Sequence, residues 1–269
     1  HTVLCVQRSV SQWPRAVTPI AGPSFLGAFA MSLWVRLAYA VVLLVSVVVA
    51  WGLVRTRQKR LDLTRSQRAA VGVAAFLGSM IGSKIPFLGQ QGWSAFLDGS
   101  AWFADGKTIL GGIAGGYAAV EIAKWIFVIR ARTGDSFALP IAVAVGVGRI
   151  GCFIAGCCYG QVTEVPWGVA FPTAHDAPGI LRHPTQLYEV AFHFVATIVL
   201  IVMDRKRWLV GNQLKAYLIA YLVYRFLSEW LRPESRLLPN LTIYQFVSVV
   251  LIAVLIGLWA RDSRMEFVG

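Results

Sequence analysis

Seven stretches of the chain are apolar over about the length a helix needs to cross a bilayer core, roughly 20 residues. They fall near 33–54, 68–88, 108–129, 137–158, 186–203, 213–231 and 243–260. The first is the cleanest, an apolar run from Leu37 to Val54 closed by Arg55, whereas the second carries Lys84 and Pro86. Residues 89–107 form a polar connection whose Trp93, Trp102 and Phe103 suit a membrane interface. The longest loop, 159–185, holds Pro166, Pro172, Pro178 and Pro184, which exclude a continuous helix there. The pattern predicts an all-α polytopic membrane protein with about seven transmembrane helices. It divides the chain into an N-terminal interfacial arm (1–32), one membrane domain (33–260) and a short tail (261–269). No fixed-period repeat interrupts the domain. The first apolar run is too long for a cleavable signal peptide and leads into an arginine-rich flank. Met31 is a candidate start.

Composition agrees with a membrane setting. Hydrophobic residues make up 57% and charged residues 14%, both displaced from soluble averages in the same direction, and the mean hydropathy is +0.64. The 25 Lys+Arg oppose 13 Asp+Glu, a formal net charge of +12. A nucleic-acid binder would gather that charge on a soluble face; here it sits between spans, so no nucleic-acid partner is expected. Loop counting gives the excess its meaning. Arg55, Arg57, Lys59, Arg60, Arg65, Arg68, Lys124, Arg130, Arg132, Arg205, Lys206, Arg207, Arg261 and Arg264 share one side of a seven-span chain. The other side has Lys107, Arg182, Arg232 and Arg236, plus Arg8 and Arg15 in the arm. The basic side is cytoplasmic, which places the N-terminus outside, the C-terminus inside and the Pro-rich loop in the periplasm.

Ionisable residues within spans mark function by default, because burying them unpaired is costly. Tyr221, Arg225 and Glu229 are spaced i, i+4, i+8 and project from one helix face. A lone Arg–Glu pair can be purely structural. Arg149, in another span, changes the balance: two intramembrane guanidinium groups facing one cavity would hold a phosphate through paired hydrogen bonds. Gly148, Gly151, Gly156 and Gly160 flank Arg149, and Gly111, Gly112, Gly115 and Gly116 line the third span. Such glycines bring helices together, and they leave room for a lipid headgroup.

Cys152, Cys157 and Cys158 crowd one segment near His175 and His183. The C-x4-C-C spacing has no second knuckle, so no metal ligands are assigned, and a disulfide or small-residue packing is preferred. Cys157→Ser is then expected to be tolerated. His193, amid apolar residues, reads as a core histidine, and His175 as a solvated one. His183, before Pro184 at the mouth of a span, is the candidate proton acceptor.

The blocks GRIGCFIAGCCYG (148–160), PWGVAFP (166–172), RHPTQLYE (182–189) and YRFLSEWLRPE (224–234) resemble the prolipoprotein diacylglyceryl transferase family of bacterial inner-membrane enzymes. The likeness extends over about 76–245. It implies transfer of a diacylglyceryl group from phosphatidylglycerol to the lipobox cysteine thiol of a preprolipoprotein, releasing glycerol phosphate, without a cofactor. Arg149 and Arg225 match the family's arginines, and Tyr221, Glu189, Glu229 and Gly156 fall on motif positions. The resemblance makes Arg149, Arg225, Glu229 and His183 the catalytic set. Tyr221, Glu189, Gly111, Gly112, Gly156 and Lys84 become the substrate-binding set. Three departures stand out. Leu110 occupies the place of a family histidine. Met80 replaces an arginine, with Lys84 one turn later as its substitute. Cys152 and Cys157 replace an asparagine and a glutamate. The alternatives are a diverged paralogue passing lipid or headgroup to another acceptor, and a non-catalytic lipid-binding protein.

Overall fold

The computed structural model describes residues 25–91, 108–174, 176–177, 179–233 and 241–267. The first 24 residues of the arm, the connection with Trp93, Trp102 and Phe103, and His175, Lys107 and Arg236 lie outside them. The described chain forms seven helices: α1 (Phe25–Gln58), α2 (Arg65–Gln91), α3 (Ile109–Ile126), α4 (Asp135–Ile154), α5 (Thr185–Lys206), α6 (Gln213–Ser228) and α7 (Ile243–Phe267). No strand occurs among the described residues. Only isolated antiparallel bridges, Val162 with Arg182 and Val169 with Arg182, tie the long loop together.

Six helices contain segments long and apolar enough to cross a membrane, namely Leu33–Gln58, Arg65–Ile85, Ile109–Ile126, Asp135–Ile154, Thr185–Lys206 and Ile243–Arg264. The seventh expected span is shorter. Helix α6 has 16 residues and continues as a 3-10 turn, Glu229–Leu231. At 1.5 Å and then about 2 Å per residue the two together reach roughly 30 Å, the thickness of the hydrocarbon core. Among the boundaries that differ from the sequence expectation, two bear on the site and the arm. Helix α1 begins at Phe25, inside the stretch assigned to the arm. Helix α4 ends at Ile154, because Gly156 turns left-handed at φ 67°.

The outward faces explain the composition. Trp34, Val41, Leu44 and Trp51 of α1 are 71%, 58%, 64% and 62% exposed. A soluble protein would aggregate through such a surface, whereas in a bilayer it meets lipid tails. Helix starts are written locally. Thr64 and Gln67 form a reciprocal capping box at α2, with N–H to side-chain bonds of 3.2 and 3.1 Å. Thr242 and Gln245 repeat it at α7, at 3.3 and 3.0 Å.

The described residues divide into two packing units, one formed within Ala74–Val120 together with the start of α1, the other by Val35–Val73 with the chain from Glu121 onward. In the first, α2 and α3 meet through facing Gly-x-x-x-Gly pairs, Gly78/Gly82 and Gly111/Gly115. A side chain on Gly82 would press within 2.7 Å of the Gly115 Cα, and one on Gly111 would strike the Gly82 carbonyl. The Thr108 N–H donates to the Ser83 carbonyl at 2.9 Å and closes the seam.

In the second unit α5 packs along α4 and α7 along α6, while α6 also touches α4 and α5. Helix α1 joins through the Ser46 hydroxyl, which donates to the Ala144 carbonyl at 2.9 Å. At the arginine-rich end Asp204 pairs with Arg57 and Arg60, and Lys215 with Asp262. The Asp135 carboxylate accepts from the Gly211 N–H at 2.5 Å and from the Leu214 N–H at 3.4 Å, seating the start of α6. The other ends of these helices carry the site.

Candidate active site

Glu189, one turn into α5, is fully buried and organises its surroundings. Its Oε2 lies 2.9 Å from Arg149 Nη2 of α4 and 3.2 Å from Arg232 Nη2, just past the 3-10 turn. Its Oε1 accepts the Tyr221 hydroxyl at 2.7 Å. One turn beyond Tyr221 on α6, Arg225 Nη2 meets Glu229 Oε2 at 3.0 Å. Glu229 Oε1 accepts the Thr242 hydroxyl at 3.1 Å. Arg225, like Arg149 and Arg232, acts electrostatically on Glu189, so the two pairs form one cluster. Arg149, Arg225 and Arg232 are at most 8% exposed, and both carboxylates are sealed.

Three guanidinium groups therefore face two carboxylates, and the pairing is incomplete. Arg149 Nε, Arg225 Nη1 and Arg232 Nε are buried with no hydrogen-bond partner among the described residues. A buried donor left unsatisfied costs about 1–3 kcal/mol, more when charged. An arrangement with one surplus positive charge and several unused donors suits an anion with several acceptor oxygens.

From sequence, Arg149 and Arg225 are expected to converge from separate spans on a phosphate. Neither is bare, since each has a carboxylate, and a third arginine joins them. Arg232, counted as a loop cation from sequence, is 7% exposed and belongs to the cluster. Its position three residues after Glu229, on the same turn, was the available signal. His193 also adjoins the cluster. It is 1% exposed, its Nε2 lies 4.0 Å from Glu189 Oε1, and its Nδ1 faces the Tyr217 hydroxyl at 3.2 Å. Its burial agrees with the core assignment; its spacing of four from Glu189 pointed further.

The loop above the cluster is pinned by its own polar groups. Arg182 grips Asp176 with two bonds of 2.5 and 2.8 Å and reaches the Gly160 carbonyl at 3.2 Å. The hydrogen-bonded Asp176 carboxylate holds the Arg182 guanidinium above its usual pKa. Gly160 was noted only among flanking glycines, yet a side chain there would come within 2.6 Å of the Leu231 carbonyl and 2.7 Å of the His183 Cβ. Gly156 needs to be glycine for two reasons: its φ of 67°, and Thr173, whose Oγ1 would sit 2.7 Å from a Cβ. His183 lies in this loop. Its Nδ1 is 3.1 Å from the Tyr188 hydroxyl, which also accepts from Trp167 Nε1 at 2.7 Å.

The remaining assigned residues fall in the first unit. Lys84 is buried in α2, and Leu110 is buried at the start of α3. Gly111 serves the α2–α3 seam, which accounts for it by packing. Gly112 is less crowded, 3.5 Å from the Ser79 carbonyl to an added Cβ. Cys152, Cys157 and Cys158 are free thiols, so the disulfide alternative is not realised among them.

The fold is that of a polytopic helical membrane protein, with three buried arginines gathered around two carboxylates. The family model described as prolipoprotein diacylglyceryl transferase matches residues 27–261, and the chain belongs to that family. It is 30% identical over 230 residues to the phosphatidylglycerol–prolipoprotein diacylglyceryl transferase of Clostridium tetani, covering 82% of this chain and 90% of that protein. The identically named protein of Coxiella burnetii is 33% identical over 217 residues, 74% of this chain and 78% of the relative. That of Pseudoalteromonas atlantica is 32% identical over 206 residues, 74% and 72% respectively.

Proposed function

We propose that the protein transfers a diacylglyceryl group from phosphatidylglycerol to the cysteine thiol of a preprolipoprotein, in the bacterial inner membrane. Its N-terminus lies outside and its C-terminus in the cytoplasm. The observation that carries this reading is the buried three-arginine cluster with its unused donors. A phosphodiester entering it gains charge-assisted hydrogen bonds that water no longer contests.

The chemistry follows from where charge develops. A thiolate sulfur attacks the glycerol carbon next to the phosphate, a carbon–sulfur bond forms, and the carbon–oxygen electron pair leaves with glycerol phosphate. Arg149 and Arg225 bind the phosphate and stabilise the charge it gains on departure. Glu189 and Glu229 orient those arginines and keep the cluster from carrying three uncompensated charges before lipid binds. Tyr221 fixes Glu189. Gly156 shapes the loop, and His183 takes the thiol proton at its mouth. Lys84, Gly111 and Gly112 are candidates for lipid contacts within their own unit.

Leu110 favours one second reading, a paralogue that binds the same lipid and serves another acceptor, since a leucine takes no proton. Complementation decides between them. A transferase-depleted bacterium carrying this chain should grow and mature a reporter lipoprotein. Failure of both, with the protein inserted and labelled phosphatidylglycerol still consumed, would establish the second reading instead.

A further inference from the structure

The end of α4 carries a second cluster whose chemistry the arginines do not use. The thiol sulfurs of Cys152, Cys157 and Cys158 all lie within 4.8 Å of one another, and those of Cys157 and Cys158 are 3.8 Å apart. Two thiolates bound to one tetrahedral zinc at about 2.3 Å stand about 3.8 Å from each other. The backbone is arranged to present them together. Cys158 adopts a left-handed φ of 63°, unusual for a non-glycine residue. Two sealed side chains at the start of α5 hold the turn: Gln186 Nε2 donates to the Cys157 carbonyl at 2.6 Å, and the Thr185 hydroxyl to the Cys158 carbonyl at 2.9 Å. None of the three cysteines is fully buried.

Their place matters as much as their spacing. Cys152 lies three residues beyond Arg149 on α4, one turn along the same face. Gln186 lies three residues before Glu189 on α5. The thiol cluster is therefore one helical turn above the Arg149–Glu189 pair, and Cys158 is within electrostatic reach of both Arg149 and Arg232.

We propose that Cys152, Cys157 and Cys158 bind one zinc ion as thiolates, and that its fourth position takes the acceptor thiol and delivers it as a thiolate to the lipid held by the arginines. The proposal rests on the transferase reading for the identity of the acceptor. Three sulfur ligands select a soft cation, and a tetrahedral ion with three protein ligands keeps one position for substrate. A thiol that coordinates zinc loses its proton. Here that proton passes to His183, the metal-bound sulfur forms the new bond to glycerol carbon, and the carbon–oxygen pair leaves as glycerol phosphate. The product is a neutral thioether, a weaker ligand, and it departs. This reverses the sequence expectation that Cys157→Ser is harmless.

The test uses full-length protein in detergent, from cells grown with ample zinc. Elemental analysis should find about one zinc per chain, and X-ray absorption three sulfur neighbours at about 2.3 Å. A lipobox-cysteine peptide should add a fourth sulfur; its Cys→Ser counterpart should not. Cys158→Ser should lower zinc retention at least about tenfold. Wild-type protein loaded with cobalt should show a thiolate-to-metal absorption band, a readout that needs no variant to fold. Absence of both retained zinc and the cobalt band overturns the site. Copper in three-coordinate sulfur, or zinc that never gains the peptide sulfur, overturns its role. Phosphatidylglycerol turnover separates the readings. Metal-free protein that still modifies the peptide sinks the zinc and leaves the transferase standing; zinc that gains the peptide sulfur without lipid turnover does the opposite.

Discussion

Along helix α5 the same motif appears twice, one carboxylate between two arginines. Near its C-terminal end Asp204 meets Arg57 at 3.3 Å and Arg60 at 3.4 Å. Fifteen residues earlier, roughly 22 Å along the axis, Glu189 meets Arg149 at 2.9 Å and Arg232 at 3.2 Å. The medium separates them. Asp204 is 33% exposed, Arg60 74% and Arg57 13%, so water reaches the shared carboxylate and the exposed Arg60 pair is worth at most about 1 kcal/mol. Glu189 is sealed, and its arginines keep unused donors. The same kind of ion pair thus sits partly in water at one end and is sealed at the other. What decides is whether the charges are left water to talk to.

The largest effect should come from removing the donors. Arg149→Ala and Arg225→Ala should each lower labelled phosphatidylglycerol turnover by about a thousandfold, the scale of a lost transition-state donor in a dry site. Unchanged turnover in either variant would refute the phosphate role. Glu189→Ala comes next, because it leaves Arg149 and Arg232 without their shared carboxylate. Removing one partner of a buried pair costs about 3–5 kcal/mol, read as a fall in thermal unfolding midpoint in detergent. Should the midpoint stay put, the cluster would have to be wetter than its burial indicates.

This contrast also shows what could be read from sequence. The face shared by Tyr221, Arg225 and Glu229 was legible because helical spacing fixes it within one segment. The starts of α2 and α7 were equally local, spelled by Thr64/Gln67 and Thr242/Gln245, although hydropathy alone placed the second span at residue 68. The union of Arg149 with Glu189 was not legible as a contact, because it joins two helices through packing that no local spacing encodes. Arg232 was counted with the loop cations because, next to Pro233 and after an apolar run, it has the sequence context of a loop; its burial beside Glu189 follows from the 3-10 turn at Glu229–Leu231 that precedes it. Of the two roles read for Gly111 from sequence, packing and room for a ligand, the Gly-x-x-x-Gly spacing in both 78–82 and 111–115 encodes the helix seam.

His183→Ala tests whether the loop contributes chemistry or only shape. Loss of a proton acceptor typically lowers rate by about a hundredfold or more, whereas loss of the 3.1 Å contact with Tyr188 alone would disturb loop order without a pH-dependent rate. A fall that narrows as pH rises, with lipid binding intact, supports proton transfer. Wild-type rates at neutral pH remove His183 from the mechanism.

The smallest expected effect is the most direct check on the comparison itself. Asp204→Asn removes the carboxylate between Arg57 and Arg60 while preserving its shape. Because Arg60 is largely exposed and Asp204 partly so, the stability loss should stay below about 1 kcal/mol and shrink further in high salt, where the Debye length falls to about 3 Å at 1 M. Turnover should be unaltered, since the change lies at the far end of α5 from Glu189. The Glu189→Ala loss should be insensitive to the same salt series, because no counterion reaches a sealed group. If Asp204→Asn proves as damaging as Glu189→Ala, or both respond alike to salt, then solvent access does not distinguish the two ends, and the case for a specialised anion site at Glu189 loses its physical basis.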